Sequence, residues 1–333
     1  MPANDGASLP LVSAVIPTRN RPDLVVRAVR CALAQTYVNL EVIVVVDGPD
    51  SATEAVLSAL NVPRVRVFPL AENVGGSEAR NTGVRAARGE WVALLDDDDE
   101  WLPEKIEKQM RLALASEAKL QLISSMLIVR SSEEDTLWPI TFPHPSLPVS
   151  EYLFCKRGLG FGGGCLQTST ILASKELLLK IPFQIGLKIH QDWDWVLRVG
   201  QLTDVRVDLV RESLAVWNVE GNRQSIGRYG DWEFSLQWAR SRRALFTPRA
   251  YSYFLATECA RSASKRHAPV SVMIGILREC LSGAPDLNCL LFFAKVWLIP
   301  QNLRRFLRMR LGLGKPRQEN LPADAKLHTD GGL

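Results

Sequence analysis

Four short runs rich in Val, Ile and Leu recur through the first hundred residues, and helical patterns separate them. The runs are 11–16 (LVSAVI), 40–46 (LEVIVVV), 64–68 (RVRVF) and 91–95 (WVALL). Between the first two, residues 23–36 carry apolar side chains at 24, 25, 28, 29, 32 and 33, and 51–60 and 77–87 read as two further helices. Short β-branched runs mark buried strands, and apolar recurrence at three- and four-residue steps marks a helix. The β-α-β-α-β-α-β alternation therefore predicts an α/β domain, a mainly parallel sheet covered by helices. Ligands of such sheets bind beyond the carboxyl ends of the strands. Asp47 and the run Asp96-Asp97-Asp98-Asp99-Glu100 fall there.

Downstream, a helix is expected at 103–118 and a strand at 120–129, followed by an irregular Pro/Gly-rich region over about 131–164. Regular pattern returns at 166–172, at 175–180 and in a helix at 192–200, and beyond about 230 the chain reads as helical. A length of 333 residues suits two domains, or one with an appendage. The expected layout is a flexible N-terminus (1–10), an α/β domain (11–230), a helical extension (231–312) and a disordered tail (313–333).

Composition narrows the function classes. Hydrophobic residues at 47% and charged residues at 23% argue against a disordered chain, and a net charge of +4 makes no case for nucleic acid as a partner. Cysteines 31, 155, 165, 259, 280 and 289 form no C-x-x-C pair. Free thiols in a reducing cytoplasm are the expectation. The start has no basic segment leading into an uninterrupted apolar core, so no signal peptide is expected. The apolar stretch 287–300 is about 14 residues long and contains Lys295, short of the roughly 20 that a bilayer span needs.

Four adjacent Asp repel one another and suit a strand poorly. Two readings compete: a solvated turn capping the helix that starts near Pro103, or a loop holding a hard cation such as Mg²⁺ or Mn²⁺ together with substrate phosphates. The position, directly after an apolar strand, favours the cation.

The chain resembles the family-2 glycosyltransferases of the GT-A fold. The resemblance rests on Val15-Ile-Pro-Thr-Arg-Asn20, on 37–47 (YVNLEVIVVVD), on Asn73-Val74-Gly75-Gly76 with Ala79-Arg80-Asn81-Thr82-Gly83, on 94–101 (LLDDDDEW) and on 190–195 (HQDWDW). It implies an inverting transfer from a nucleotide-diphosphate sugar to a glycan or lipid-linked acceptor. It also implies a nucleoside pocket at Pro17, Thr18, Arg19, Asn20 and Asp47, and a donor site lined by Gly75, Arg80, Asp96 and Asp97. Asp98 would be the direct ligand of Mg²⁺ or Mn²⁺, with Asp96 touching metal or ribose, and Asp99 would lie behind them or cap the next helix. Asp192 would be the general base, with Asp194 as second choice; an N-cap role for Asp192 is the structural alternative. Where the family often has Glu-Asp, this chain has Gln191-Asp192. His190, Trp193 and Trp195 are expected to be structural.

Processive members carry Q-x-x-R-W after the base. The nearest stretch here, Gln224 to Tyr229, has the wrong spacing, so a single sugar addition is expected, with Arg223 or Arg228 in reach of the diphosphate. Two rivals stay open: a nucleotidyltransferase, although VIPTRNRPD lacks the glycines of its phosphate loop, and a non-catalytic sugar- or nucleotide-binding scaffold. Residues 301–317 hold six basic residues and no acid. They read either as a solvated helix packed on the domain or as peripheral contact with an anionic membrane at its inner face.

Overall fold

The computed structural model describes residues 9–132, 135–144, 146–156, 163–219 and 231–299. Its first part runs β1 (Val12–Thr18), α1 (Pro22–Leu33), β2 (Leu40–Val46), α2 (Ser51–Ala59), β3 (Val65–Pro69), α3 (Gly76–Ala86) and β4 (Trp91–Leu94). The expected alternation is thus present, with element ends shifted slightly. Then come β5 (Glu100–Trp101), α4 (Lys105–Leu114), β6 (Leu120–Arg130), β7 (Thr136–Trp138), α5 (Val149–Phe154), β8 (Leu172–Ser174), α6 (Lys175–Lys180), α7 (Gln191–Val199) and β9 (Val205–Asn218). The C-terminal part is helical: α8 (Trp232–Ser241), α9 (Pro248–Phe254), α10 (Ala260–Lys265), α11 (Val270–Leu281) and α12 (Leu287–Leu298). A single wider turn, Leu255–Cys259, joins α9 to α10.

The strands form one sheet in the order β3-β2-β1-β4-β8-β6-β9-β5, with β7 beside β6. Strands β1 to β4 pair in parallel, as do β6 and β9, while β8, β7 and β5 run against them. Val, Leu and Ile fill β2 at all but one position, and it is buried along its whole length, as a central parallel strand covered on both faces must be. One face carries α1, α2 and α4, which pack Val25, Val29, Leu57, Ile106 and Met110 on Ile16, Val44 and Leu95. The other carries α3, α6, α7 and the C-terminal helices, whose side chains join Val15, Ile43, Val45 and Leu94 in one core. The helices beyond 231 therefore share the core of the sheet.

Three elements depart from expectation. The Pro/Gly-rich stretch holds β7 and α5, and β9, the longest described strand at 14 residues, was not among the expected strands. Arg211 and Glu212 interrupt its apolar pattern. Two register shifts over Ser125–Leu127 let β9 take up extra residues between Val210 and Ala215. Beyond this bulge β9 also pairs with β5, through Val216–Glu100 and Ala215–Trp101. Glu100 thus belongs to a strand, and the acidic turn proper is 96–99.

Helix α3 lies on β1 and β2 through Gly83. A methyl group there would stand 2.3 Å from Val15 Cγ1, and β-branched valine has little freedom to yield. Gly83→Ala is expected to cost about 1–3 kcal/mol by overpacking. A urea unfolding curve should show a lower midpoint with an unchanged slope.

Candidate active site

The carboxyl ends of β1, β2 and β4 lie side by side, because Thr18 pairs with Val46 and Val15 with Leu94. The loops that follow them therefore share one rim. From β1 come Pro17, Thr18, exposed Arg19, exposed Asn20 and Arg21. Asn20 adopts a left-handed backbone (φ 53), and its N–H donates to Asp50 Oδ2 at 2.6 Å. Asp50 Oδ1 also caps α2 by accepting from Thr53 N, so one carboxylate fixes both the loop and the helix.

Asp47, buried at the end of β2, accepts from Val74 N at 2.7 Å and from Gly75 N at 3.0 Å. It clamps the loop that leads into α3. Gly75 makes this turn with φ 85, a conformation that glycine adopts without strain. The clamp sets the direction of α3 and hence of Arg80 one turn later.

Each of the four aspartates of the turn has different partners. Asp96 takes Arg80 Nη2 on its carboxylate, and its N–H donates to Ser169 Oγ. Asp97 is buried, with Thr18 Oγ1 and Arg21 Nη1 both at 2.8 Å. Burial pushes its pKa up to about 6 against the pull of Arg21. Asp98 pairs with Arg21 at 3.2 Å, and its backbone carbonyl accepts from Arg27 and Asn218. Asp99 is fully buried and accepts from Gln167 Nε2 (2.7 Å), Ser169 Oγ (2.6 Å) and Asn218 N (3.3 Å). Burial first, then the charges of Asp96 and Asp98, raise its pKa well above the usual range. Asp99 is thus an anchor of the turn, facing away from the rim.

Helix α7 completes the site. Arg80 donates to Gln191 Oε1 at 2.7 Å as well as to Asp96. The guanidinium therefore bridges the acidic turn and the first residue of α7, next to Asp192. Asp192 Oδ1 accepts from Trp193 N at 2.9 Å. Burial raises its pKa to about 6; the nearby charge of Asp96 adds to this and Arg80 opposes it.

Asp194 has a different place. It is fully buried and accepts from Arg198 Nε (2.8 Å), Arg242 Nε (2.7 Å) and Trp238 Nε1 (3.3 Å). It ties α7 to α8 and is committed to structure. His190, left-handed at φ 66, stacks on Trp193 at 4.8 Å and shares a hydrogen bond with Ser235 Oγ. Burial drops its pKa to about 4, so it is neutral at pH 7. Trp195 is buried against Phe183.

The rim thus gathers Pro17, Thr18, Asp47, Gly75, Arg80, Asp96, Asp97, Asp98 and Asp192, with exposed Arg19 and Asn20 on its first loop. Sequence reasoning missed Arg21, which pairs with Asp97 and Asp98. It also missed Gln167, Ser169 and Asn218, whose role depends on strand pairings between distant residues. Arg223, Arg228 and the 224–229 stretch lie outside the described residues, as do the 301–317 segment and the 313–333 tail. Among the described residues no three His, Cys, Asp or Glu side chains converge as a metal cage. A cation at Asp96 and Asp98 would draw its remaining oxygen ligands from a diphosphate, a donor set that suits Mg²⁺ or Mn²⁺.

A family model described as glycosyl transferase family 2 matches residues 13–164, from β1 past the acidic turn. The chain belongs to glycosyltransferase family 2. This family-2 chain is 33% identical, over 57% of its length, to the putative colanic acid biosynthesis glycosyl transferase WcaA of Escherichia coli, covering 66% of that protein. It is 27% identical to the amylovoran biosynthesis glycosyltransferase AmsB of Erwinia amylovora, over 72% of this chain and 82% of that one. Identity reaches 42% with the succinoglycan biosynthesis protein ExoO of Rhizobium meliloti, over 34% of this chain; the match spans only 32% of that relative's length. Among solved structures, it resembles the mannosyltransferase PcManGT from Pyrobaculum calidifontis in complex with GDP-Man and Mn²⁺. There the TM-score is 0.55 at 19% identity, over 93% of this chain and 87% of that one. It also resembles S. aureus TarS 1–349 in complex with UDP-GlcNAc, with a TM-score of 0.51 at 16% identity over 90% and 85%. At these identities the likeness speaks for the fold, which is GT-A.

The contrast between the two α7 aspartates is measurable. Asp194→Ala leaves Arg198 and Arg242 without their buried partner and should cost about 3–5 kcal/mol. Asp192 behaves oppositely. Its folded pKa lies above the unfolded 3.8, so its ionisation weakens the fold as pH rises from 3.8 to about 6. Asp192→Asn should be at least as stable as the parent at pH 7, and the difference should vanish by pH 4. Thermal melts at the two pH values test both.

Proposed function

We propose that this family-2 chain is an inverting, metal-assisted glycosyltransferase that moves one sugar from a nucleotide-diphosphate donor to a hydroxyl of a glycan or lipid-linked acceptor. The observation that carries this reading is the Arg80 bridge. It joins the turn where a diphosphate and cation would sit to the residue beside the candidate base. The names of the relatives, each concerned with building a polysaccharide, support the substrate class.

In this reading Thr18, Asn20 and Asp47 frame the nucleoside end of the cleft. Asp98 and Asp96 would hold Mg²⁺ or Mn²⁺, which when bound neutralises charge on the departing diphosphate. Arg80 orients Asp96 and adds positive charge on the same side. Asp192 takes the proton of the acceptor hydroxyl as that oxygen bonds to the anomeric carbon. The bond from that carbon to the diphosphate oxygen breaks, and the nucleoside diphosphate leaves with the electron pair. A second carboxylic acid is unnecessary, because the leaving group is stabilised as an anion. Burial suits Asp192 to this task, since a carboxylate with raised pKa is a stronger base than an exposed one.

A donor screen with Mn²⁺ or Mg²⁺ that reads nucleoside-diphosphate release tests the reading. Asp98→Ala and Asp192→Asn should each lower kcat/KM by about 10²-fold or more, and EDTA should abolish activity until the cation is restored. Unchanged activity in both variants would sink the mechanism. Because the base must be ionised, kcat/KM should climb with pH through about 6 and level off above it. In Asp192→Asn the residual rate should lose that rise.

A further inference from the structure

Arg80 is only 8% exposed, and its guanidinium is held by its two terminal nitrogens. Nη2 donates to Asp96, and Nη1 donates to Gln191 Oε1 at 2.7 Å. Nε is buried and has no partner among the described residues. The Phe183 ring, 5.7 Å from Cζ, offers a face to the group but sets no direction within its plane. That direction comes from Asp96 on one side and Gln191 on the other.

Gln191 is built to hold this cation without neutralising it. Its Nε2 donates to the Leu187 carbonyl at 2.7 Å while its Oε1 accepts from Arg80. Both halves of the amide are engaged, so the network fixes which is which. A carboxylate could not repeat this arrangement. One of its oxygens would face the Leu187 carbonyl, acceptor against acceptor, and its charge would stand beside Asp96 and Asp192. Arg80 would then answer two acids instead of one, and less of its charge would act on an anion brought to the rim.

Gly76, the first residue of α3, supports the same reading. A Cβ there would lie 3.1 Å from Arg80 Nη1 and 3.2 Å from Gln191 Oε1, against both ends of their hydrogen bond. Unlike Gly75, Gly76 has no left-handed backbone, so its conformation does not call for glycine, and alanine is otherwise the better helix former. What the position supplies is room: the bond between Arg80 and Gln191 runs across bare backbone.

We propose that Gln191 is a positioning residue for sugar transfer: a neutral arm, seated in the clearance left by Gly76, that aims the Arg80 guanidinium across the acidic turn. The diphosphate of the donor is the anion this charge would meet. The inference rests on the sugar-transfer reading, and it adds a requirement for an amide at 191 and for a bare backbone at 76.

The test measures calorimetric binding of a panel of nucleoside diphosphates (UDP, GDP, ADP, CDP and dTDP) with Mn²⁺ to the full chain, beside kcat and KM for nucleoside-diphosphate release. Gln191→Glu and Gly76→Ala should each weaken binding about tenfold or more, the scale of one hydrogen bond to a charged group. Their kcat should fall at least as far, because charge on the diphosphate grows as the sugar leaves. A merely structural tie between α3 and α7 would survive in Gln191→Glu, whose carboxylate pairs with Arg80 more strongly than the amide does. Gly275→Ala, in α11 with open space around it, should match the parent in binding and turnover. Thermal melts establish that the variants are folded, and Gly76→Ala carries the test if Gln191→Glu is not. A parent that binds none of the nucleotides overturns the sugar-transfer reading and this proposal with it. A parent that binds, beside a folded variant that binds and turns over equally well, overturns this proposal alone.

Discussion

Two carboxylates 4 Å apart repel by about 1 kcal/mol in water and by several times that near a protein surface. Four in succession cannot occupy one turn unless each is compensated, and much of the cleft is arranged around that need. Arg80 answers Asp96, Thr18 and Arg21 answer Asp97, Arg21 also reaches Asp98, and neutral donors from Gln167, Ser169 and Asn218 enclose Asp99. These partners come from β1, α3, the turn before β8 and the end of β9. Closing the acidic turn therefore requires β1, β8 and β9 to be in place together.

The compensation is uneven, and the unevenness has chemical meaning. Asp99 is sealed by neutral donors, which satisfy a carboxylate without adding charge. Asp96 and Asp98 meet arginines, which a competing cation and diphosphate could draw away. The turn separates a carboxylate held by neutral donors from carboxylates paired with arginine within four residues. Helix α7 repeats the division: Asp194 is locked by two arginines and a tryptophan, while Asp192, two residues earlier, accepts a local hydrogen bond from Trp193 N.

Strands β1, β2 and β4 were legible because they are almost wholly apolar, the pattern of a covered parallel strand, and β3 because Val65, Val67 and Phe68 mark a short β-rich run. The position of the acidic turn followed from the carboxyl-end rule. Strand β9 was missed, since its alternation over 205–209 is short and Arg211 and Glu212 break it at the bulge. Arg21 was overlooked because nothing local marks it; it reaches the aspartates after the left-handed backbone of Asn20. Gln167, Ser169 and Asn218 lie far from Asp99 in sequence, and only the β8 and β9 pairings bring them to it. Asp194 illustrates the same limit, because its second arginine comes from beyond residue 230.

That dependence on late residues has a temporal side. The parallel strands β1 to β4 and the arginines that face the acidic turn are complete early in the chain. The attitude of α7 is set by Arg242, Trp238, Ser235 and Phe254, which leave the ribosome last among these parts. During synthesis, when N-terminal parts fold first, the two walls of the cleft cannot face each other until α8 and α9 have emerged. A nascent chain can thus acquire the arginine side of its acidic turn before it can acquire Asn218 and the opposing helix in its working orientation.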